Sequence, residues 1–185
     1  MNNPLLLFVG KSSSGKTTIA NLLEKDLGYC QVQSYTTRPP RYEGEIGHTF
    51  VSDEEFNNLG KLAAYTLYNG HKYGTTYKQI DECDIYVIDP DGVKTLLANY
   101  ETDRDIIIIY FDASVYTRIN RMIERGDSDN KIISRLLEDE KDDWLKTLRK
   151  IEDKFGCEMG VSLYVIDANK STSSVISQIQ FFINF

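Results

Sequence analysis

Short apolar runs alternating with helix-period segments predict an α/β fold built around a parallel sheet with right-handed crossovers. Two runs carry that prediction. Leu5 to Val9 is a continuous apolar stretch of buried-strand length, and Asp105 to Phe111 is β-branched and aromatic after its first residue, as a central strand covered on both faces requires. The third observation is the join that follows the first run: Gly10-Lys-Ser-Ser-Ser-Gly15-Lys16-Thr17 leads directly into Ile19, Leu22, Leu23 and Leu27 at helical spacing.

A chain of 185 residues with 41% hydrophobic content fills one well-cored domain rather than two. Its 28 acidic residues outnumber 21 Lys and Arg, and the formal charge of −7 disfavours nucleic acid as a partner while leaving room for a local basic pocket. Cys30, Cys83 and Cys157 are far apart in sequence, odd in number and without C-x-x-C spacing, so neither a disulfide nor a zinc site is expected. No signal sequence and no segment of membrane-span length are apparent, which predicts a cytoplasmic protein without a membrane partner, either monomer or homodimer.

Gly28 stops the first helix, and Cys30 to Ser34 reads as a second strand. A polar loop, Tyr35 to Glu45, then carries Arg38 and Arg41. Thr49 to Val51 reads as a short strand, and Ser52-Asp-Glu-Glu55 is a capping box opening a short helix around Phe56 and Leu59 that ends at Gly60. Leu62 to Tyr68 has strand composition, and Asn69-Gly70 predicts a tight hairpin returning through His71, Tyr73 and Thr75. Residues 35–82 thus read as an insertion of polar, aromatic and basic character.

Ile85 to Ile88 is the next strand, with Asp89-Pro-Asp91-Gly92 at its end and a helix from Val93 to Leu97. Asp89 sits where open parallel sheets bind ligands, so it either serves a substrate or a metal-bound water, or caps the helix; for Asp91 capping is the favoured reading. After Ser114, Arg118, Arg121 and Arg125 share one helix face, and beyond the break at Gly126 to Asn130 one long helix is expected. It holds Arg135 in its second turn and Ile133, Leu137, Trp144, Leu148 and Ile151 as an apolar stripe. The arginine row is either a solvated face or the inner side of a lid. Lys154 to Val161 reads as a connector, Leu163 to Asp167 as the last strand, and Ser171 to Phe182 as a helix facing Val175, Ile176, Ile179 and Phe182 inward.

The glycine-rich stretch is a complete P-loop pattern in strand–loop–helix context, against which the bland alternative is a flexible surface loop. Gly10 and Gly15 let successive backbone N–H groups point at one phosphate chain, at the positive end of the following helix. Lys16 reaches the outer phosphates, and the Thr17 hydroxyl is the expected Mg²⁺ ligand. A nucleoside triphosphate is the ligand this predicts, with Ser12, Ser13, Ser14 and Thr18 completing its cradle.

Beyond the loop, the order of motifs resembles the guanylate kinase family across nearly the whole chain. The resemblance rests on Ser34-Tyr-Thr-Thr-Arg38-Pro-Pro-Arg41, Gly44-Glu45, Phe50 to Phe56, Tyr73-Gly74-Thr75, Ile88-Asp89-Pro-Asp-Gly92, and Arg121, Arg125-Gly126 and Arg135-Leu136. It implies one P-loop NTPase domain, 1–185, with a five-stranded parallel sheet in a core of 1–34, 83–117 and 155–185. An acceptor-binding flap, 35–82, and a lid, 118–154, complete it. The implied reaction moves the γ-phosphoryl group of ATP, with Mg²⁺, to a small-molecule acceptor, GMP or dGMP by family. Lys16, Arg38, Arg41, Arg125 and Arg135 are the implied catalytic groups, and Arg121 joins the ATP side. Ser34, Arg38, Arg41, Glu45, His48, Tyr73, Thr75 and Asp89 are the implied acceptor side. Guanidinium forks suit phosphate oxygens, which gives the arginine assignments a physical basis.

The departures fall on the acceptor side. By spacing from Tyr73, the family's guanine-reading Glu corresponds to Ala64; His48 stands near the place of a phosphate-binding Tyr, and Val87 replaces the first acid of a D-x-D pattern. Such losses can cost 10⁴–10⁵ in discrimination. A ribose bisphosphate kinase is therefore one alternative acceptor reading, and a kinase-dead protein-binding module is another class, disfavoured by intact Gly15, Lys16 and Thr17. A GTP-hydrolysing switch lacks its N-K-x-D, since Asn169-Lys170 is followed by Ser171-Thr172.

Overall fold

The computed structural model describes residues 3–183. Its strands are β1 (Leu5–Val9), β2 (Ser34–Thr36), β3 (His48–Phe50), β4 (Ala64–Tyr68), β5 (His71–Thr75), β6 (Ile85–Val87), β7 (Ile106–Asp112) and β8 (Val161–Asp167). Its helices are α1 (Lys16–Leu27), α2 (Asp53–Asn57), α3 (Tyr77–Glu82), α4 (Pro90–Asn99), α5 (Val115–Glu124), α6 (Asp129–Asp139), α7 (Trp144–Met159) and α8 (Thr172–Ile183).

The main sheet is parallel, in the order β6-β1-β7-β8. Side chains of β1 alternate between two apolar layers, as the two-residue strand period dictates. Leu5, Leu7 and Val9 meet Val93 and Leu96 of α4 and Leu148 and Ile151 of α7. Leu6 and Phe8 meet Ile19 and Leu23 of α1 and Val175 and Ile179 of α8. All five β1 residues are fully buried, each contributing about 1.5–3 kcal/mol before entropic costs. The sheet therefore fixes β1 from both faces, and with it the point from which the following loop leaves.

The expected fifth strand at 30–34 is reduced to a single bridge between Gln31 and Ile85, so among the described residues the main sheet has four strands, not five. The reason is competition for the same short segment. Val32 N–H still bonds the Ile85 carbonyl at 2.8 Å, but from Ser34 the chain pairs with β3 and β5 of a second sheet, ordered β3-β2-β5-β4. The β4–β5 hairpin turns through Asn69 and Gly70 at φ 49° and 75°, the left-handed pair that matches strand twist. The capping box at Ser52 and Glu55 forms in both directions, as expected.

Three further differences are local. α3 was not expected, although Thr76 and Gln79 form a reciprocal capping box at its start. The long helix after Asn130 is two helices: α6 ends at Asp139, and Asp143 opens α7 by accepting from Lys146 N–H at 3.0 Å. The break changes the phase of the apolar stripe, so Ile133 and Leu137 are exposed while Trp144, Leu148 and Ile151 are buried. α7 then runs through most of the expected connector and stops only at Gly160, in the left-handed region at φ 61°. Cys30, Cys83 and Cys157 are free thiols. No helix among the described residues is long and apolar enough to cross a membrane.

Candidate active site

β1 delivers the glycine-rich loop to the carboxyl edge of the main sheet. A Cβ at Gly10 would lie 2.8 Å from the Phe111 carbonyl of β7, so only glycine allows the loop to leave the strand this closely. Gly15 is the N-cap of α1 at φ 102° and offers no side-chain cap, which leaves the helix's first N–H groups facing the cleft. Lys16 Nζ donates to the carbonyls of Gly10 and Lys11 and to Ser14 Oγ. Burial lowers its pKa to about 8, with Asp139 opposing that shift and Arg41 and Arg118 adding to it. Arg121 braces the loop from α5: Nη1 donates to the Ser13 and Ser14 carbonyls at 3.3 and 3.0 Å, and Nη2 to the Ala168 carbonyl at 2.8 Å.

The loop opens into a cleft of about 490 Å³ that reaches the second sheet on one side and α5, α6 and the start of α7 on the other. Gly10, residues 12–18 and Arg121 line the first part; Ser34, Arg41, His48, Tyr73 and Asp89 line the far part, with Arg125 and Arg135 at the rim. Ser34 Oγ and His48 Nδ1 are 2.9 Å apart, and the His48 and Tyr73 rings meet edge-on at 5.7 Å. Burial, then the charges of Arg38 and Arg41, push His48 down to about 4, so it is a neutral hydrogen-bonding ring at neutral pH.

Arg38 and Glu45 stand behind Arg41 rather than on the cleft wall. Glu45 takes both terminal nitrogens of Arg38, at 3.1 and 2.9 Å, together with the Arg41 N–H at 2.6 Å and Arg41 Nη1 at 3.2 Å. Burial raises the Glu45 carboxyl, but these arginine bonds more than offset it and hold it below the usual range. A carboxylate beside two arginines either orients them or senses the sugar of an acceptor, and the geometry of Glu45 is that of an orienting carboxylate. Thr75 is fully buried, donates to Gln79 Oε1 at 3.0 Å and lies off the cleft wall; Thr66 of the neighbouring strand lines it instead. Asp89 combines a helix cap with a place on the cleft wall. Its Oδ1 caps α4 by accepting the Asp91 and Gly92 N–H groups, each at 2.9 Å, and the residue also lines the cleft. Burial holds its carboxyl above the usual range despite those bonds and the Thr66 hydroxyl. Asp91 is no cap; it pairs with Lys94 at 2.8 Å on the surface.

Arg38 and Arg41 share Glu45, and Arg125 and Arg135 share Asp127 with Lys131, so among the described residues the positive groups of these ion pairs outnumber the carboxylates. Burial and the neighbouring Arg38 and Arg135 depress Arg41 to about 10, and burial and Arg125 likewise lower Arg135. Mutual repulsion of this kind marks a place built for an anion. Arg118, on the same face of α5 in the sequence, takes no part: it is 1% exposed and pairs with Asp139 at 2.7 Å and Glu140 at 3.1 Å.

Thr66, Tyr68, Tyr86 and Trp144 also line the cleft; from sequence, only Tyr68 of these is a site candidate, as a ring that either stacks on a base or packs the hairpin. For Thr66 and Tyr68 the signal was available, since they alternate on one face of a strand whose opposite residues, Tyr65 and Leu67, are exposed. Tyr86 and Trp144 come from elements whose apolar pattern gives no hint of a cleft.

A phosphate-cradling loop between β1 and α1, opposed across one cleft by an unbalanced guanidinium cluster, defines a P-loop α/β protein that binds nucleotide. No family model matches the chain. It is 32% identical over 145 residues to the guanylate kinase of Nitrosomonas europaea, spanning 72% of this chain and 71% of that one. It is 30% identical over 153 residues to the guanylate kinase of Helicobacter pylori, spanning 74% and 73%. The crystal structure of guanylate kinase from Anaplasma phagocytophilum shares the fold with a TM-score of 0.61 at 21% identity, over 98% of this chain and 85% of that one. The chain belongs to the guanylate kinase family, a family of nucleoside monophosphate kinases.

Proposed function

We propose that the protein transfers the γ-phosphoryl group of ATP to the phosphate of GMP or dGMP, giving ADP and a nucleoside diphosphate. One observation carries the reading: the Lys16 loop and the Arg41–Arg135 cluster face the same cleft of about 490 Å³, so that two anion-binding sets open on one cavity. An acceptor phosphate oxygen attacks the γ-phosphorus as the bond to the β-phosphate bridging oxygen breaks, and no protein nucleophile is needed. Lys16 and the loop N–H groups hold the β- and γ-phosphates, while Arg121 keeps the loop in shape. Arg41, placed by Glu45, and Arg135 and Arg125 offset charge on the transferring group. Ser34, His48 and Tyr73 orient the acceptor phosphate as neutral donors, and Asp89 and Thr66 face its base.

Thr17 offers a hard hydroxyl oxygen beside the cradle and so fits Mg²⁺, which takes few protein ligands and fills its shell from phosphates and water. When bound, the ion neutralises charge on the β- and γ-phosphates. Residues 35–82 act in this reading as the acceptor flap, and 118–154 as a lid that excludes water.

Ala64 is compatible with a second acceptor. It is fully buried on β4 and brings no polar atom to the face it shares with Thr66, which suits a base-free ribose bisphosphate as well as it suits a nucleotide. ADP release with ATP and Mg²⁺ from GMP, dGMP, AMP, CMP, UMP and ribose bisphosphate separates the readings. GMP and dGMP are expected to lead; turnover of none, with no ATP binding, would overturn the kinase assignment.

A further inference from the structure

Asp139 is the last residue of α6, the carbonyl end that disfavours a carboxylate, yet its side chain is fully buried. Four donors from three segments satisfy it. The Ser12 N–H and hydroxyl reach it from the phosphate loop at 2.8 and 3.1 Å, the Tyr68 hydroxyl from β4 at 2.8 Å, and Arg118 Nη1 from α5 at 2.7 Å. Oδ1 receives both hydroxyls, so the second sheet and the phosphate loop meet at one atom. A second tie runs alongside, because Glu140 takes Arg118 Nη2 at 3.1 Å and Lys11 Nζ at 2.8 Å. α6 buries only Ile132 and Asp139, which makes this carboxylate a main point of attachment for the helix.

We propose that Asp139 is a positioning residue that couples the β4–β5 hairpin to the phosphate loop, so that ordering either one orders the other. The proposal rests on the donor-site reading above. Nucleotide on the loop fixes Ser12, which fixes Asp139 and through it Tyr68 at the end of β4. The same link acts in reverse when an acceptor draws the hairpin inward, because coupling between two sites is reciprocal. Buried charge gives the link its stiffness: the carboxylate has no water to fall back on if one donor leaves.

Hydrogen exchange with and without ADP and Mg²⁺ tests this without knowledge of the acceptor. In the wild type, ADP slows exchange in both the loop–α1 segment and residues 64–75. Tyr68→Phe keeps the ring that packs 6.3 Å from Trp144 and removes only the hydroxyl. In it, loop protection by ADP is retained within about twofold, while the ADP-dependent slowing at 64–75 falls at least about fivefold, the lower end of typical coupling. Asp139→Asn gives the same split, and Tyr68→Phe decides the matter if that variant unfolds through Arg118. Hairpin protection that is equal in wild type and Tyr68→Phe, or absent in wild type beside a protected loop, overturns the coupling. An unprotected wild-type loop overturns the donor-site reading and the coupling with it.

Discussion

The Ser34 hydroxyl and His48 Nδ1 lie 2.9 Å apart across the parallel pair β2–β3, where burial and the charges of Arg38 and Arg41 keep the imidazole neutral. The pKa of His48 is about 4 in the folded chain against the usual 6.5, mainly through burial, so the unfolded chain takes up the proton first. Stability tied to His48 is therefore complete above about 6.5 and lost as pH falls toward 4. We predict that the urea midpoint of the wild type drops between pH 7.5 and 4.5 more than that of His48→Gln. Parallel pH curves for the two proteins would sink the assignment.

Lys16 carries no part of the core. Its ammonium rests on loop carbonyls, and its replacement leaves both apolar layers untouched. Lys16→Ala is predicted to lower kcat by at least about 10²–10³, the scale of losing one charge-stabilising donor, with an unchanged circular dichroism spectrum. Near-normal turnover would refute its role.

Burial and neighbouring arginines hold Arg41 and Arg135 below the usual arginine range, a cost that a bound anion would offset. We predict that Arg135→Gln leaves Tm unchanged or raises it while lowering kcat/KM at least about 100-fold, the trade expected where a site is strained for function. Arg41→Ala is predicted to raise KM for the acceptor more than KM for ATP. A fall in Tm for Arg135→Gln, measured by calorimetry, would show that the cluster is structural.

Not every arginine on α5 behaves this way. Arg118→Ala strands the Asp139 carboxylate in the interior and is predicted to cost about 3–5 kcal/mol. Breaking the exposed Asp91–Lys94 pair by Asp91→Ala costs at most about 1 kcal/mol. Urea titrations of the two variants check the contrast, and similar midpoints would contradict it.

Asp89 separates its two duties by substitution. Asp89→Asn keeps an oxygen for the N–H groups of Asp91 and Gly92 and is predicted to preserve stability while changing acceptor KM. Asp89→Ala loses the cap as well, at about 1 kcal/mol. Equal stability of the two variants would remove the capping role.

The parts of the fold that were legible in sequence are those whose signal is local. The P-loop, the Asn69-Gly70 hairpin and the Ser52 capping box each need only a few adjacent residues, and all three form as read. The second strand failed because Gln31 and Ser34 answer to different sheets, a choice made by partners distant in sequence. The long helix failed because Glu138 to Asp143 is polar throughout, so nothing in composition marks where it breaks. The same run hid Asp139, flanked by Glu138 and Glu140 and chemically equivalent to both until the fold buries one and leaves the others in reach of water. Arg118, Arg121 and Arg125 share a face, yet packing sends the first inward, the second to the loop and the third to the rim.

Where the chain departs from the main sheet and where it comes back are tied together. The Cys30 carbonyl accepts the N–H groups of Asp84 and Ile85 at 2.9 and 3.0 Å, and the Cys30 N–H reaches the Asp84 carboxylate at 3.0 Å. Everything between is an excursion knotted off at its base. Ala63, Ala64 and Ile80 of this excursion pack into the core beneath β1, so it is on the cleft wall, away from those three, that a chain of this design can change what it phosphorylates without renegotiating how it folds.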